Sequence, residues 1–423
     1  MRGLILKQMK MIKLIPAFMM ALLALTACEK NDSDQPNDAT LSGGEVSGVW
    51  EKGSTITVNG HLVIPAGKSL TIEEGVTVLM NDTTLGQEIL VYGNLYCKGT
   101  QANPVTITVP EELRREGSFP RLWGGIICAA SCQELLMEYT HMAYTGYVTT
   151  ETSPSVIAGL FKAEAGEGLP AVNFRNETNG KLVIRHCTFN NLGEDGLYLE
   201  GGNYIIEHNT FYTNGETGGD AVNLKSGSIA DISYNLMYSP NTNAFKLSNS
   251  GDRTPQCAPV LYNNTIVNCG WRRPKVKGGG IWLEAGVNAL AYNNLHVNRR
   301  FAVKFDEADE RSVYDYNYYY GYTQECVDNF QPGVPDVVRG AHDVAGTKAG
   351  ENDPMLVNYP LSNSQTATDF STDWDFHLKA SSPALTGATT NFTRHFGTNG
   401  LTLNGVTYQS SAPATHFGAF GQK

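Results

Sequence analysis

The chain has 423 residues, 44 of them glycine, a formal net charge of −11 and only 17% charged residues. That length suits two or three globular domains or one elongated repeat structure, and no segment carries a long 3.6-residue apolar period, so an all-β architecture is expected. The leader holds Arg2, Lys7, Lys10 and Lys13 with no acid, which leaves −15 from Cys28 onward; this argues against nucleic acid as a bulk partner while leaving room for a local basic site.

Residues 1–27 combine a basic start with the apolar run Leu14-Ile15-Pro16-Ala17-Phe18-Met19-Met20-Ala21-Leu22-Leu23-Ala24. The run is too short to span a bilayer and reads as a signal peptide. It ends in Leu25-Thr26-Ala27-Cys28, which resembles a lipobox and implies lipid attachment at Cys28 and a membrane partner. Residues 28–48 open with Glu29-Lys30-Asn31-Asp32-Ser33-Asp34, polar and without apolar anchors, and are expected to be a flexible acidic tether. An acidic tract directly after the lipidated cysteine resembles the surface-export signal of Bacteroidetes lipoproteins. That implies the external face of the outer membrane, with a periplasm-facing protein as the alternative.

Seven cysteines remain beyond Cys28, at 97, 128, 132, 187, 257, 269 and 326. An odd number cannot all pair within one chain. Cys257 with Cys269, or Cys128 with Cys132, can bridge in an oxidising envelope; all of them can equally serve as small buried residues of β rungs.

A parallel β-helix is expected over residues 49–339. Residues 145–180, rich in Gly, Thr and Glu, read as an insertion, and residues 182–319 fall into rungs. Asn recurs at 209, 235, 264, 293 and 317, with Cys187 in the same slot one rung earlier. Three positions before it stand Ile184, Ile206, Ile232, Leu261, Leu290 and Tyr314; two after it stand Phe189, Phe211, Met237, Ile266, Leu295 and Tyr319. A third stripe pairs Leu197 with Leu199, Val222 with Leu224, Phe245 with Leu247, Ile281 with Leu283 and Val303 with Phe305. Members of each pair are two apart and so share one face of a strand. Three short strands per coil make a prism whose stacking buries a core no single coil could bury. The Asn column suits an inward turn where amides both donate and accept along a ladder; stacked carboxylates would repel. The residues just before the slot (His186, His208, Tyr234, Tyr292, Tyr316) are expected to stack outside the turn rather than to act chemically. Residues 340–423 lose the repeat and are expected to hold the last coils and a C-terminal cap.

With these rungs the chain resembles the pectate-lyase-like right-handed β-helix superfamily, specifically its lipoprotein members from Bacteroidetes. Val63-Ile64-Pro65-Ala66-Gly67-Lys68-Ser69-Leu70 looks like their opening coil, and Trp123-Gly124-Gly125-Ile126, Asp375-Phe376-His377-Leu378 and Phe417-Gly418-Ala419-Phe420 agree with them. The resemblance covers roughly residues 50–423. It is specific for fold and weak for activity, since the superfamily hosts lyases, hydrolases, epimerases and adhesins.

The resemblance implies a ligand face on the outside of the strand holding the third stripe. From the ladder slot to that stripe the distances are 10, 13, 10, 17 and 10 residues, so one coil carries a long excursion, Cys269-Gly270-Trp271-Arg272-Arg273-Pro274-Lys275-Val276-Lys277-Gly278-Gly279. It is expected to overhang a strip bearing Lys246, Trp282, Lys304, Glu284 and Asp306. Aromatic faces stack on sugar rings and Lys or Arg pairs with uronate carboxylates, so Trp271, Arg272, Arg273, Lys275, Lys246, Trp282, Glu284, Lys304 and Asp306 form the expected ligand site. Three functions are in play: a glycan-contacting surface protein for polysaccharide capture or adhesion, a polysaccharide lyase, and a structural envelope protein. In a lyase, Lys246 or Lys304 would be the base and Arg272 or Arg273 the neutraliser, with Ca2+ on Glu284 and Asp306 as a substitute. The Asn-Thr-Asp, Asp-Asp and Gly-His-Gly set of polygalacturonases and the arginine pattern of extracellular pectate lyases are both missing.

Overall fold

The computed structural model describes residues 37–275, 277–329 and 339–423. The leader, Cys28 and the start of the expected tether lie outside them. Among the described residues, three all-parallel sheets of 12, 10 and 10 strands run the length of the molecule, each strand pairing with its equivalent one coil away. The first sheet begins at Ala39–Leu41, the second at Gly44–Glu45 and the third at Gly48–Trp50. The coils therefore start ten residues before the expected boundary at 49, and residues 39–48 belong to the first turn of the prism rather than to a tether. Ala39 already pairs with Ile56 in register.

Inward columns follow the alternation in the sequence. Ile184, Ile206, Ile232 and Leu261 stack in the third sheet, Phe189, Phe211, Met237 and Ile266 in the first, and Leu197, Val222, Phe245, Ile281 and Val303 in the second. The Phe189 and Phe211 rings lie face to face at 4.8 Å. All seven described cysteines are buried thiols, six of them in this core and Cys326 on the short helix Gln324–Asp328.

The ladder joins the third sheet to the first. The Asn235 backbone N–H and side-chain Nδ2 both donate to Asn264 Oδ1, at 3.0 and 2.9 Å, and Asn264 repeats the pair toward Asn294 Oδ1 at 3.1 and 2.9 Å. Asn294, not Asn293, fills the fifth slot, and Asp343 Oδ1 accepts from Asn317 N at the end of the row. The slip carries its neighbours with it, because a one-residue shift exchanges the two faces of a strand. Ala291 and His296 point inward where Leu290 and Leu295 were expected. His296 is fully buried and burial drives its pKa well down; its Nε2 meets the Tyr314 hydroxyl at 3.1 Å. Tyr292 is correspondingly not the residue before the slot. Asn293 is, at φ 59°, in a column with His186, His208, Tyr234, Asn263 and Tyr316 at φ 52–57°. The outer stack is real where rings occupy that column: Tyr139, His186, His208 and Tyr234 follow one another at 4.6–4.9 Å.

The C-terminal region closes the last coil only with its first residues, where His342 stacks on Tyr316 and Asp343 accepts from Asn317 N; the rest covers the flank. After Val344–Ala345 closes the first sheet, the chain runs back along the flank. Leu356, Tyr359, Phe376, Leu378 and Phe417 cover the outer face of the first sheet against Leu236, Tyr238, Val267, Leu295 and Tyr318. Phe396, Leu401, Leu403 and Tyr408 cover an outer apolar column of the third sheet, Tyr96, Leu136, Val183 and Ile205. The next member of that column is Asp231, which is fully buried and accepts from His395 N, Phe396 N and Ser410 Oγ at 3.0, 2.8 and 2.6 Å. Asn263 and Asn293 hold the same segment through Ala414, His416 and Thr389. This cover explains the slip at Asn293-Asn294: where both faces of the first sheet are buried, apolar alternation no longer marks the inside.

Two outcomes are expected. Asn264→Ala leaves two donors of Asn235 and its own column partners unpaired in the core, and costs about 3 kcal/mol or more by chemical denaturation. Asp231→Ala strands three donors under the cover, costs about 2–4 kcal/mol, and opens residues 389–416 to limited proteolysis while the far-UV spectrum of the coils stays unchanged.

Candidate functional site

The outer face of the second sheet is covered at one end and open further along. Residues leaving the coil after Thr140–Ala143 and returning at Val172–Phe174 include the short helix Pro154–Ile157. They lay Leu160, Phe161 and Leu169 over Leu90 and Ile127. Where this insertion ends, Phe161 sets its edge against the Tyr198 ring at 5.0 Å. Beyond it lies a cleft of about 400 Å³. Its floor is the outward column Tyr198, Asn223, Lys246 and Trp282, held in register by the strand pairing. One rim is the turn from the first sheet to the second, with Glu194, Asp195, Gly219, Asp220 and Thr242; Arg273 and Lys277 of the long excursion overhang it. That excursion is pinched at its neck, where a Cβ on Gly270 would stand 2.2 Å from Gly278 C and one on Gly278 2.5 Å from Gly270 Cα. Only glycine allows the two arms to meet there.

Of the expected site residues, Lys246, Trp282 and Arg273 line the cleft. The others are placed differently. Arg272 turns into the body of the protein and donates to Gly215 O, Asn214 O and Ser239 O at 2.7, 3.1 and 2.8 Å, with its guanidinium over Phe119 at 5.0 Å. Burial lowers its pKa to about 10, which still leaves it charged at neutral pH. It is a clamp for the loop, not a ligand contact. Trp271 donates to Asn298 O at 2.6 Å and carries Arg300 over its ring, outside the cleft. Lys275 is exposed at φ 59° and is not among the residues lining the cleft.

Trp282 does not offer a free face to a sugar. Lys246 Nζ lies 4.5 Å from the ring centre on one coil and Lys304 Nζ 3.7 Å from it on the next. Each lysine is also paired, Lys246 with Glu284 at 3.4 Å and Lys304 with Asp306 at 3.2 Å. Each ammonium group is thus engaged by the indole and by a carboxylate, and neither stands free above the strip. Glu284 and Asp306 are occupied by these pairs, and among the described residues no group of three or more acidic, imidazole or thiol side chains could hold a metal. The carboxylate pair suggested for Ca2+ is thus spent on lysines.

The cleft also holds residues outside the expected set. Lys225 extends from the floor over the Tyr198 ring at 5.4 Å, and burial, with the Lys246 charge next, lowers its pKa. Glu194 is raised by burial against the pull of Arg121, whose Nη2 lies 2.9 Å from it. Asp195 Oδ1 accepts from Asp220 N at 2.7 Å and its Oδ2 from Asn223 Nδ2 at 2.9 Å. Asp220 Oδ1 accepts from both Asn243 N and Nδ2, at 3.0 and 2.7 Å. Both aspartates are raised, by burial first and, at Asp220, by the Asp195 charge. Their signal was in the sequence: Asp195, Asp220 and Asn243 each stand two residues before the third stripe, one column that apolar counting passes over. Three polar atoms at the cleft, Asn223 Oδ1, Thr242 Oγ1 and Trp282 Nε1, are buried without a hydrogen-bond partner among the described residues. Unpaired buried polar atoms of this kind fit a ligand that brings hydroxyl groups.

Clamp and ligand contacts separate by mutation. Arg272→Ala removes three hydrogen bonds to carbonyls and costs about 2 kcal/mol in denaturant unfolding, whereas Lys275→Ala changes stability by less than about 0.5 kcal/mol.

The family model described as the right handed beta helix region matches residues 169–314, which span these coils and the excursion. No curated protein and no solved structure matches the chain. The parallel sheets and the matched coils agree, and the chain is a right-handed parallel β-helix protein.

Proposed function

We propose that the cleft on the second sheet holds an acidic glycan, and that the protein captures or adheres to such glycans while anchored to the outer membrane through lipid on Cys28. One observation carries this reading. Five cations, Lys162, Lys225, Lys246, Arg273 and Lys277, converge on one cleft of a chain whose net charge is −11. Among them stand the unpaired Asn223, Thr242 and Trp282 atoms that sugar hydroxyls would satisfy. The cleft falls within the size range of ligand sites, roughly 300–1,000 Å³. Capture requires only that charge and hydroxyl pattern be matched, and it needs no reacting group. With both faces of Trp282 occupied, sugar recognition here is polar rather than stacked.

One observation favours a second reading as a polysaccharide lyase: Lys225, whose pKa burial lowers, lines the same cleft as Arg273. In a β-elimination, neutral Lys225 would take the proton from the carbon beside the uronate carboxylate, Arg273 would offset the charge that builds on that group, and the leaving oxygen would depart with the bonding pair and take a proton from water.

The test uses the lipid-free chain beginning at Glu29 against a panel of uronic-acid polysaccharides and neutral counterparts. Expected are binding to acidic members alone, weakening with salt, and at least tenfold loss in Lys225→Ala and in Lys246→Ala, measured by calorimetry. Absence of binding to every acidic glycan overturns capture. Absorbance from unsaturated products decides the second reading, and none at any pH overturns it.

A further inference from the structure

The turn from the first sheet to the second contains another ladder, and its composition breaks the rule that governs the Asn row. In the Asn row, each Oδ1 accepts two bonds from the neighbouring coil, and each Nδ2 supplies one of them. At the second turn Asn243 follows that rule toward Asp220 Oδ1 with both its N and Nδ2. Asp220 does not. Its backbone N–H reaches Asp195 Oδ1 at 2.7 Å, but it has no amide to donate with, so a carboxylate is stacked on a carboxylate one coil apart. A single side-chain donor sits between them: Asn223 Nδ2, 2.9 Å from Asp195 Oδ2 and 3.4 Å from Asp220 Oδ2. A buried and a partly buried carboxylate at this spacing cannot both ionise without a cost that an asparagine would avoid. A local rule broken where the fold had a satisfactory alternative is a mark of function. The pair faces the cleft, beside Asn223 Oδ1 and Thr242 Oγ1, both unpartnered and on residues more than nine-tenths buried.

We propose that Asp195 and Asp220 are the specificity-determining pair of the cleft, sharing one proton and presenting it to an anionic oxygen of the glycan, so that binding takes up a proton. The inference rests on the acidic-glycan reading of the cleft. A carboxyl O–H donates to a glycan carboxylate as a neutral donor, while the remaining carboxylate accepts from Asp220 N and Asn223 Nδ2. No bond other than hydrogen bonds forms, and the proton comes from water. The groups facing the pair are Asn223 and Asn243 on adjoining strands, Glu194 on the turn, Tyr198, Lys225 and Lys246 on the floor, and Lys162, Arg273 and Lys277 on the overhanging segments. The cations pull the pair toward ionisation, yet burial and mutual repulsion win, with Asp220 raised to about 7. An arriving anion strengthens the repulsive side and draws the proton in.

Asp220→Asn is a clean probe, because asparagine there completes the ladder with an amide donor toward Asp195 Oδ1. Calorimetry of the lipid-free chain from Glu29 with an acidic glycan, in two buffers of different ionisation enthalpy, is expected to show uptake of about half a proton near pH 7. Affinity rises as pH falls from 8 to 6, and both effects vanish in Asp220→Asn. Equal proton uptake in wild type and variant overturns the proposal while leaving glycan binding in place. Thermal melts read the pair without ligand. The folded pKa of Asp220 lies above its unfolded value, so its contribution to stability is present at low pH and is lost as pH rises through about 7. Asp220→Asn is therefore expected to melt higher than wild type at pH 8, with the gap closing toward pH 4. A gap that does not change with pH overturns the proposal, even if no glycan binds and the capture reading has failed separately.

Discussion

From Asn209 onward the coils turn from the third sheet into the first through a residue at positive φ followed by a buried amide, and that amide pins the register of these coils. An asparagine side chain at this point must accept from one coil and donate to another, so it tolerates neither an apolar substitute nor a slipped neighbour. The row from Asn209 through Asn235, Asn264, Asn294 and Asn317 is continuous and fully hydrogen-bonded, and it ends on Asp343, whose carboxylate needs only to accept. Because parallel strands repeat in lockstep from one coil to the next, the ladder at one corner also places the outward columns at the other two. The alignment of Tyr198, Asn223, Lys246 and Trp282 into a cleft floor is a consequence of it.

A prism of this kind has three outer faces, and each is treated differently. The outer side of the first sheet and part of the third are apolar and lie beneath the returning C-terminal segment. The N-terminal half of the second sheet's outer face is apolar too, and the insertion after Ala143 covers it. What remains open is the stretch of the second sheet where the outward column changes from Leu90 and Ile127 to Tyr198, Asn223 and Lys246. The cleft is where covering stops, walled by the edge of the insertion on one side and by the pinched excursion on the other. An exposed apolar sheet face would otherwise be a site of association.

Charge within the cleft is arranged against the average of the chain. Cations come from three separate segments, and the carboxylates that would neutralise them are either already held, as Glu194 is by Arg121, or stacked on one another. Trp282 serves this arrangement in an unexpected way, since two lysines lie on its faces and fix their ammonium groups beside Glu284 and Asp306. Its indole holds charge in place instead of receiving a sugar ring.

The rungs, the three-strand coil, the stacked ladder and the outer ring stack were legible in the sequence, because periods of two within a strand and one coil between strands are local and repeat many times. So was the long basic excursion, because it stands out against equal spacings. The slot at Asn293-Asn294 was not: two adjacent asparagines satisfy the spacing equally, and Leu290 and Leu295 look like core until the segment that buries them from outside is in place. Arg272 and Trp271 likewise read as contacts, although they are clamped to carbonyls of neighbouring coils. The sequence by itself determined the architecture, through repetition that each coil states again. Tertiary structure decided which residues point into that cleft, because the returning C-terminal segment, the insertion and the clamp on the excursion act between positions with no fixed spacing, and only their packing settles which polar groups are used up and which remain to meet a ligand.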